Sequence, residues 1–206
     1  MDILIGTKNA YKAAEMTYFL SGIPNIIIHP YSDLGCTVKV EEDQDSLMGN
    51  AKKKAQEISR ATDYYVLTSD GGVDIPGLGN KWDILRNQRT VGEDKTDIEK
   101  ANKLLALMTG LQGEDRRVEY HLALALALKG KIIFSTESIT DKGYIVKDFP
   151  KGKIPLYLWM GHIWYYPKFK KTYNTLNEFE LSEVRKVADT IKRDLQNAVI
   201  KIINKL

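Results

Sequence analysis

Three short segments of the sequence place hydroxyl, amide, ammonium and carboxylate groups where they could bind a polyphosphate. In the first segment, Thr7, Asn9 and Lys12 lie between a short apolar run and the start of a helical pattern. The N-terminus of a helix adds backbone N–H donors that favour anions, so this segment could cradle a triphosphate. An ordinary helix cap with solvated lysines is an equally good interpretation of the same residues.

The second segment lies inside a predicted helix that follows an acidic run. Asn50 and Lys54 are four residues apart, so both side chains could face one site, whereas Lys52 and Lys53 point elsewhere. Taken alone, these residues are better explained as the solvated face of a helix.

The third segment is Thr68-Ser69-Asp70-Gly71-Gly72, which follows a β-prone run. We expect a turn at Asp70-Gly71-Gly72 that presents the carboxylate at the end of the strand. Such a carboxylate could bind a hard divalent cation, or orient a water molecule for attack on phosphorus. A Ser-Asp-Gly-Gly turn is common in loops, so the motif is not specific by itself.

A fourth cluster combines Gly161-His162 with Lys171-Thr172-Tyr173. Aromatic rings beside a lysine could hold a nucleobase and a phosphate. A packed aromatic cluster with a satisfied histidine is the simpler interpretation of these residues alone.

The elements that must position these groups follow from hydrophobic periodicity and from Gly and Pro punctuation. The sequence predicts a hairpin turn at Lys129-Gly130-Lys131 and a single domain over 1–206. Strands and helices in rough alternation predict an α/β protein whose mixed sheet is flanked by helices, with ligands at the carboxyl ends of strands. The predicted strands are 3–5, 26–28 (buried), 64–69, 118–128 and 132–145, and the predicted helices follow Asn9, cover 43–63 and 97–108, and run from about 182 to the end.

In chain order, the clusters resemble the inosine triphosphate pyrophosphatase family, hydrolases that remove non-canonical purine nucleoside triphosphates. The strongest matches are Thr7-x-Asn9-x-x-Lys12, Asn50-Ala51-x-x-Lys54-Ala55, and Ser69-Asp70-Gly71-Gly72 where the family usually shows Asp-Asp-Ser-Gly. Weaker matches continue through Gly79, Arg89, Gly92, Asp97 and Asn102-Lys103-Leu104-Leu105 of the predicted helix, the Leu122 to Leu128 strand, and Lys171-Thr172-Tyr173.

The resemblance implies an elongated α/β protein with two lobes and a central cleft, usually a homodimer. It also implies hydrolysis of a nucleoside triphosphate to the monophosphate and pyrophosphate with Mg²⁺, or Mn²⁺ in its place. By this likeness Asp70 would bind the metal or activate the attacking water, and Lys12 and Lys54 would neutralise the triphosphate. The substrate would also contact Thr7, Asn9, Asn50, Ser69, Gly71, Gly72, Arg89, His162 and Lys171.

The sequence departs from the family pattern at several positions. Gly49 stands where a metal-binding glutamate is usual, and Ser69 replaces the first aspartate of a pair. The family's Gly-Tyr-Asp-Pro segment corresponds to Gly161-His162-Ile163-Trp164, and its C-terminal Ser-His-Arg motif has no counterpart. The usual specificity for the base therefore does not carry over. The alternative function is a nucleotide-binding protein of the same fold with impaired catalysis.

Composition indicates which classes of partner and which cellular compartment to expect. The chain has 30 Lys and Arg against 27 Asp and Glu, a surplus too small and too scattered to predict a nucleic-acid or anionic-membrane partner. Cys36 is the only cysteine, and the N-terminal segment lacks the pattern of a signal peptide, so we expect a reducing, cytoplasmic location. The apolar stretch Ile154 to Tyr166 is too short for a membrane-spanning helix.

Overall fold

The computed structural model describes residues 1–150 and 159–205, so part of the apolar stretch at 154–166 lies outside the described residues. The strands form one seven-stranded sheet in the order β2-β1-β3-β4-β5-β6-β7. β1 runs parallel to both β2 and β3, whereas β6 pairs antiparallel with β5 and with β7. The strands are β1 Asp2–Ile5, β2 Ile27–His29, β3 Tyr65–Asp74, β4 Arg117–Leu128, β5 Lys131–Ile145, β6 Trp164–Tyr166 and β7 Lys171–Thr172.

Six α-helices accompany the sheet in the described part of the chain. The prediction of a mixed α/β sheet with flanking helices is therefore confirmed. Within the same residues, no helix combines the length and apolar character needed to cross a membrane. The helices are α1 Ala10–Leu20, α2 Leu47–Ser59, α3 Asn87–Val91, α4 Asp97–Leu107, α5 Glu178–Arg185 and α6 Asp189–Ile203.

The chain folds into two compact units, each with its own apolar core. The first unit comprises Met1–Gly71, Leu122–Ser138 and Ala188–Leu206, and the second comprises Gly72–His121 and Ile139–Val187. In the first, the apolar run of β1 is buried, and the strand lies inside the sheet between β2 and β3. In the second, α4 packs Ala101 and Leu104 into a core that includes Trp164 and Tyr166.

Strand β2 differs from its prediction as a buried strand. It begins one residue later than predicted, at Ile27, whose exposed fraction is 59%. The reason is its position at the edge of the sheet, where only β1 pairs with it. An apolar run of three residues does not distinguish an edge strand from a central one.

The predicted turn at Asp70-Gly71-Gly72 is wrong, because β3 continues through these residues to Asp74. Gly72 serves close packing instead of chain reversal. A Cβ atom at Gly72 would overlap the backbone carbonyl oxygen of Ile84, so only glycine fits this strand position. Asp70 is therefore held in the middle of a strand and not at its end.

The hairpin between β4 and β5 is confirmed, and the predicted C-terminal helix is only partly right. Lys129 and Gly130 both have positive φ angles, of 50° and 77°, as a two-residue hairpin turn requires. The helix predicted from about Ser182 is two helices, α5 and α6, separated by a short 3-10 turn at Lys186–Ala188. A continuous apolar stripe does not reveal that interruption.

Candidate active site

The carboxylate of Asp70 is the centre of a polar cluster in the first unit. The residue is only 6% exposed. Its Oδ1 atom lies 3.4 Å from Lys12 Nζ and 3.1 Å from Lys54 Nζ, and its Oδ2 accepts a hydrogen bond of 3.2 Å from Asn50 Nδ2. One carboxylate therefore faces two ammonium groups and one amide, all from segments that the sequence singled out.

Helix α2 supplies Asn50 and Lys54, and hydrogen bonds at its N-terminus hold it in position. The Ser46 side chain accepts a hydrogen bond from Gly49 N and caps the helix. Gln44 N donates to Asn50 Oδ1 over 3.0 Å, which leaves the Nδ2 group of that amide directed at Asp70. Thr68 Oγ1 donates to the carbonyl of Ala51 over 2.7 Å and joins β3 to the helix.

The β1–α1 junction supplies Lys12. Asn9 Oδ1 accepts hydrogen bonds from Tyr11 N and Lys12 N, and Thr7 Oγ1 accepts one from Asn9 N. The helix-cap interpretation therefore accounts for the contacts of Asn9 in this structure. A role for Thr7 and Asn9 in holding phosphate oxygens stays a prediction. A Cβ at Gly6 would lie 2.6 Å from the Thr68 side chain, so a glycine at this position permits the chain after β1 to approach β3 closely.

A second carboxylate, that of Glu42, contacts the same lysine as Asp70, which is Lys54. Glu42 Oε1 accepts a 2.7 Å hydrogen bond from Lys54 Nζ, and the Glu42 side chain is 52% exposed. Position 49 contributes no carboxylate, and a Cβ there would lie 2.9 Å from both Gln44 Cβ and Ser46 Oγ. The segment before α2 is thus packed against the glycine, and a larger residue at position 49 would displace it.

Sequence reasoning missed Glu15. It lies three residues after Lys12 on α1, a spacing that places both side chains on one face of the helix. Burial raises the pKa of the Glu15 carboxyl to about 7, although the charge of Lys12 acts in the opposite direction. A carboxyl group that titrates near neutrality beside the cluster can accept or donate a proton. The spacing to Lys12 was the available signal.

The donor set fits a divalent cation carried by phosphate. Mg²⁺ prefers oxygen ligands and usually binds through one or two carboxylates, with phosphate oxygens and water completing its shell. Asp70 offers one buried carboxylate, and Glu42 offers a second one that contacts the same Lys54 ammonium group. Such a set matches an ion that arrives with a polyphosphate better than an ion held by protein ligands alone.

The other predicted site residues belong mainly to the second unit, where each has local contacts. Arg89 is exposed and pairs with Glu93 at 3.3 Å, and Lys171 donates to both carboxylate oxygens of Glu180 at 2.8 and 2.9 Å. His162 is 1% exposed, and burial lowers its pKa. Within the described residues, neither of its ring nitrogens has a hydrogen-bond partner.

Comparison with known proteins identifies relatives over nearly the whole chain. The model of the Ham1 family matches residues 3–193. A dITP/XTP pyrophosphatase of Bacillus licheniformis is 30% identical over 151 residues, which is 73% of this chain and 75% of the relative. A dITP/XTP pyrophosphatase of Thermoanaerobacter sp. is 27% identical over 98% of both chains. The solved structure of a HAM1 protein from Coxiella burnetii has the same fold, with a TM-score of 0.78, 23% identity, and coverage of 98% of this chain and 99% of that one.

Proposed function

The chain belongs to the Ham1 family, and from that premise we propose that it is a metal-dependent nucleoside triphosphate pyrophosphohydrolase. It converts a nucleoside triphosphate and water to the monophosphate and pyrophosphate. The observation that carries the proposal is the buried Asp70 carboxylate in contact with Lys12 and Lys54. Charge of both signs at one protected point is what hydrolysis of a phosphoanhydride needs.

The reaction forms a bond between the water oxygen and the α-phosphorus, and it breaks the bond from that phosphorus to the oxygen bridging to the β-phosphorus. Lys12 and Lys54 exchange their contacts with Asp70 for contacts with phosphate oxygens, which neutralises charge on the substrate and on the departing pyrophosphate. Asp70 then orients the attacking water.

The proton lost by the attacking water needs an acceptor in the same cluster. Glu15 is suited to this role because burial has raised its pKa to about 7, which makes its carboxylate a stronger base than an exposed glutamate. Glu15 follows Lys12 by three residues on α1. The Lys12 ammonium group contacts Asp70 at 3.4 Å, and its charge also acts on the Glu15 carboxyl by lowering its pKa.

A divalent ion supplies neutralisation of the phosphate oxygens when it is bound. Asp70 would hold it, with Glu42 as the second protein carboxylate in reach of the cluster. Mg²⁺ suits the all-oxygen donor set, and Mn²⁺ can replace it. The relatives named dITP/XTP pyrophosphatase support a house-cleaning role on non-canonical or modified nucleotides.

The proposal is tested by incubating the chain with canonical and altered nucleoside triphosphates in the presence of Mg²⁺ or Mn²⁺, and measuring pyrophosphate. We expect turnover that falls by about 10²- to 10³-fold in Asp70→Asn, as for removal of one preorganised charged contact. Equal rates in the two proteins would overturn it. Binding of intact nucleotide by both proteins, without turnover, would favour the catalytically impaired alternative that Gly49 motivates.

Homodimerisation, a single domain and a cytoplasmic location rest on the family resemblance and the composition, and they remain predictions. Light scattering of the purified chain tests the first. A mass equal to that of the 23.4 kDa monomer at working concentration would contradict it.

A further inference from the structure

We propose that Asp74, Glu119 and His121 form a second divalent-metal site, of transition-metal character, in the second unit. One ligand atom from each of these three residues lies within 4.8 Å of the other two. This cluster shares no residue with the cluster around Asp70, and neither the family resemblance nor the proposed reaction uses it.

Two neighbouring strands bring the three side chains together. Asp74 is the last residue of β3, and Glu119 and His121 lie two residues apart on β4, the next strand in the sheet. Successive side chains of a strand alternate between faces, so residues 119 and 121 share one face. The backbone thus fixes the three ligands on rigid elements instead of a loop, which favours a preorganised site.

His121 provides the observation that points to a ligand. Its Nε2 atom is buried and has no hydrogen-bond partner among the described residues. The same atom lies 3.6 Å from Glu119 Oε2, too far for a hydrogen bond but within reach of an ion between them. A buried polar atom without a partner is costly, so its presence requires an explanation. A bound metal ion satisfies the imidazole nitrogen and the carboxylate together.

Two cations lie near the carboxylate of Glu119. Lys142 Nζ lies 3.7 Å and Arg117 Nε 3.9 Å from Oε1, whereas Oε2 is the atom nearest His121. The nearest contacts of the two cations are therefore with Oε1, whereas the nearest contact of the imidazole is with Oε2. Glu119 itself is 9% exposed, so its orientation is restricted by packing.

The donor set selects the class of metal. An imidazole nitrogen with two carboxylate oxygens suits Zn²⁺ and similar first-row ions, whereas Mg²⁺ and Ca²⁺ prefer oxygen donors alone. Three protein ligands leave a coordination position for water. An ion at this place links the end of β3 to β4 and should raise the stability of the folded second unit, because the unfolded chain has no such preformed site.

Titration of the metal-free full-length chain with Co²⁺ tests the proposal, with visible absorption and thermal unfolding as readouts. We expect uptake of about one strongly absorbing ion per chain, accompanied by a rise in melting temperature. His121→Ala and Asp74→Asn should each weaken this binding by at least about tenfold. Asp70→Asn should leave it unchanged, which separates this site from the proposed active site.

His29→Ala is the matched control. His29 is also flanked by two aspartates, but its two ring nitrogens already contact different carboxylates, those of Asp2 at 2.8 Å and Asp33 at 3.2 Å. The His29→Ala variant should therefore retain normal Co²⁺ binding. The absence of Co²⁺ uptake in the unaltered chain, or uptake that survives unchanged in folded Asp74→Asn and His121→Ala, would overturn the proposal. If His121→Ala does not fold, the conservative Asp74→Asn variant decides alone.

Discussion

At the scale of single residues, two neighbouring lysines of α2 have different surroundings. One belongs to the candidate active site, and the other forms an ion pair at the surface. Lys54 contacts Asp70 and has a side chain that is 12% exposed, whereas Lys53 pairs with Asp43 at 2.8 Å, away from Asp70. The spacing from Asn50 to Lys54 predicted this difference, because residues four apart share a helix face. The identity of the group they face was not readable from the helix alone.

Lys54→Met should lower kcat/KM for a nucleoside triphosphate by about 10²- to 10³-fold, because a charge that stabilises the transferring phosphates is lost. Lys53→Met should change it by less than about threefold, as expected for a surface ion pair. Steady-state kinetics of the two variants provides the measurement. Similar losses in both would show that the role of Lys54 is general electrostatics and not contact with substrate.

The raised pKa of Glu15 predicts how the rate of hydrolysis depends on pH. If its carboxylate accepts the proton of water, kcat should rise with pH through the raised pKa of about 7. Glu15→Gln should be slower above that pH and should lose this rising limb. The measurement is a pH–rate profile at saturating substrate for both proteins. A limb that persists in the variant would assign the titration to another group.

At the scale of elements, the sequence predicted helices α1 and α4 better than the path of β3. The caps of α1 and the apolar stripe of α4 are local patterns, and both helices lie where the sequence placed them. Strand β3 was cut short because two consecutive glycines usually mark a turn. The role of Gly72 depends on the backbone of Ile84, which is a tertiary contact that no local pattern encodes.

Gly72→Ala should destabilise the protein by about 1–3 kcal/mol, because the added methyl group overlaps a backbone carbonyl that cannot rotate away. Chemical denaturation measures the loss. An alanine at an unhindered strand glycine would instead be neutral or stabilising. Unchanged stability would therefore mean that the approach of Ile84 to β3 is not tight.

The space beside Gly49, where the family pattern has a glutamate, is occupied by neighbouring side chains. The segment before α2 packs against the glycine, and the backbone N–H of Gln44 donates to Asn50 Oδ1. The departure from the family pattern was visible in the sequence, but this local compensation was not. It arises from a backbone N–H that reaches a side chain six residues away.

At the scale of the whole molecule, the order of three motifs along the chain predicted the family, and the Ham1 match over residues 3–193 confirms it. The cluster of Asp74, Glu119 and His121 could not be predicted in this way. Its members come from two strands separated in sequence, and only strand pairing brings them together.

Buried carboxyl groups should make the stability of the molecule depend on pH. Burial raises the pKa of Asp141 from 3.8 to about 7, although the 2.6 Å hydrogen bond from Tyr166 OH opposes the shift. The folded state binds this proton more tightly than the unfolded state. The resulting stability is complete below about pH 4 and is lost as pH rises through about 7.

Asp141→Asn should therefore be more stable than the unaltered chain above pH 7, by an amount on the order of a few kcal/mol. The difference should shrink as the pH falls towards 4. Thermal unfolding of both proteins across this range measures it. A constant difference at every pH would show that the carboxyl group does not titrate in this window.

Hydrolysis in water labelled with heavy oxygen shows which phosphorus atom the water attacks. The products are separated and their label is located by mass spectrometry. The proposed attack at the α-phosphorus predicts that the label enters the nucleoside monophosphate, that pyrophosphate stays unlabelled, and that Asp70→Asn forms neither product at a comparable rate. Label in pyrophosphate, release of orthophosphate as the first product, or an undiminished Asp70→Asn rate would contradict the account.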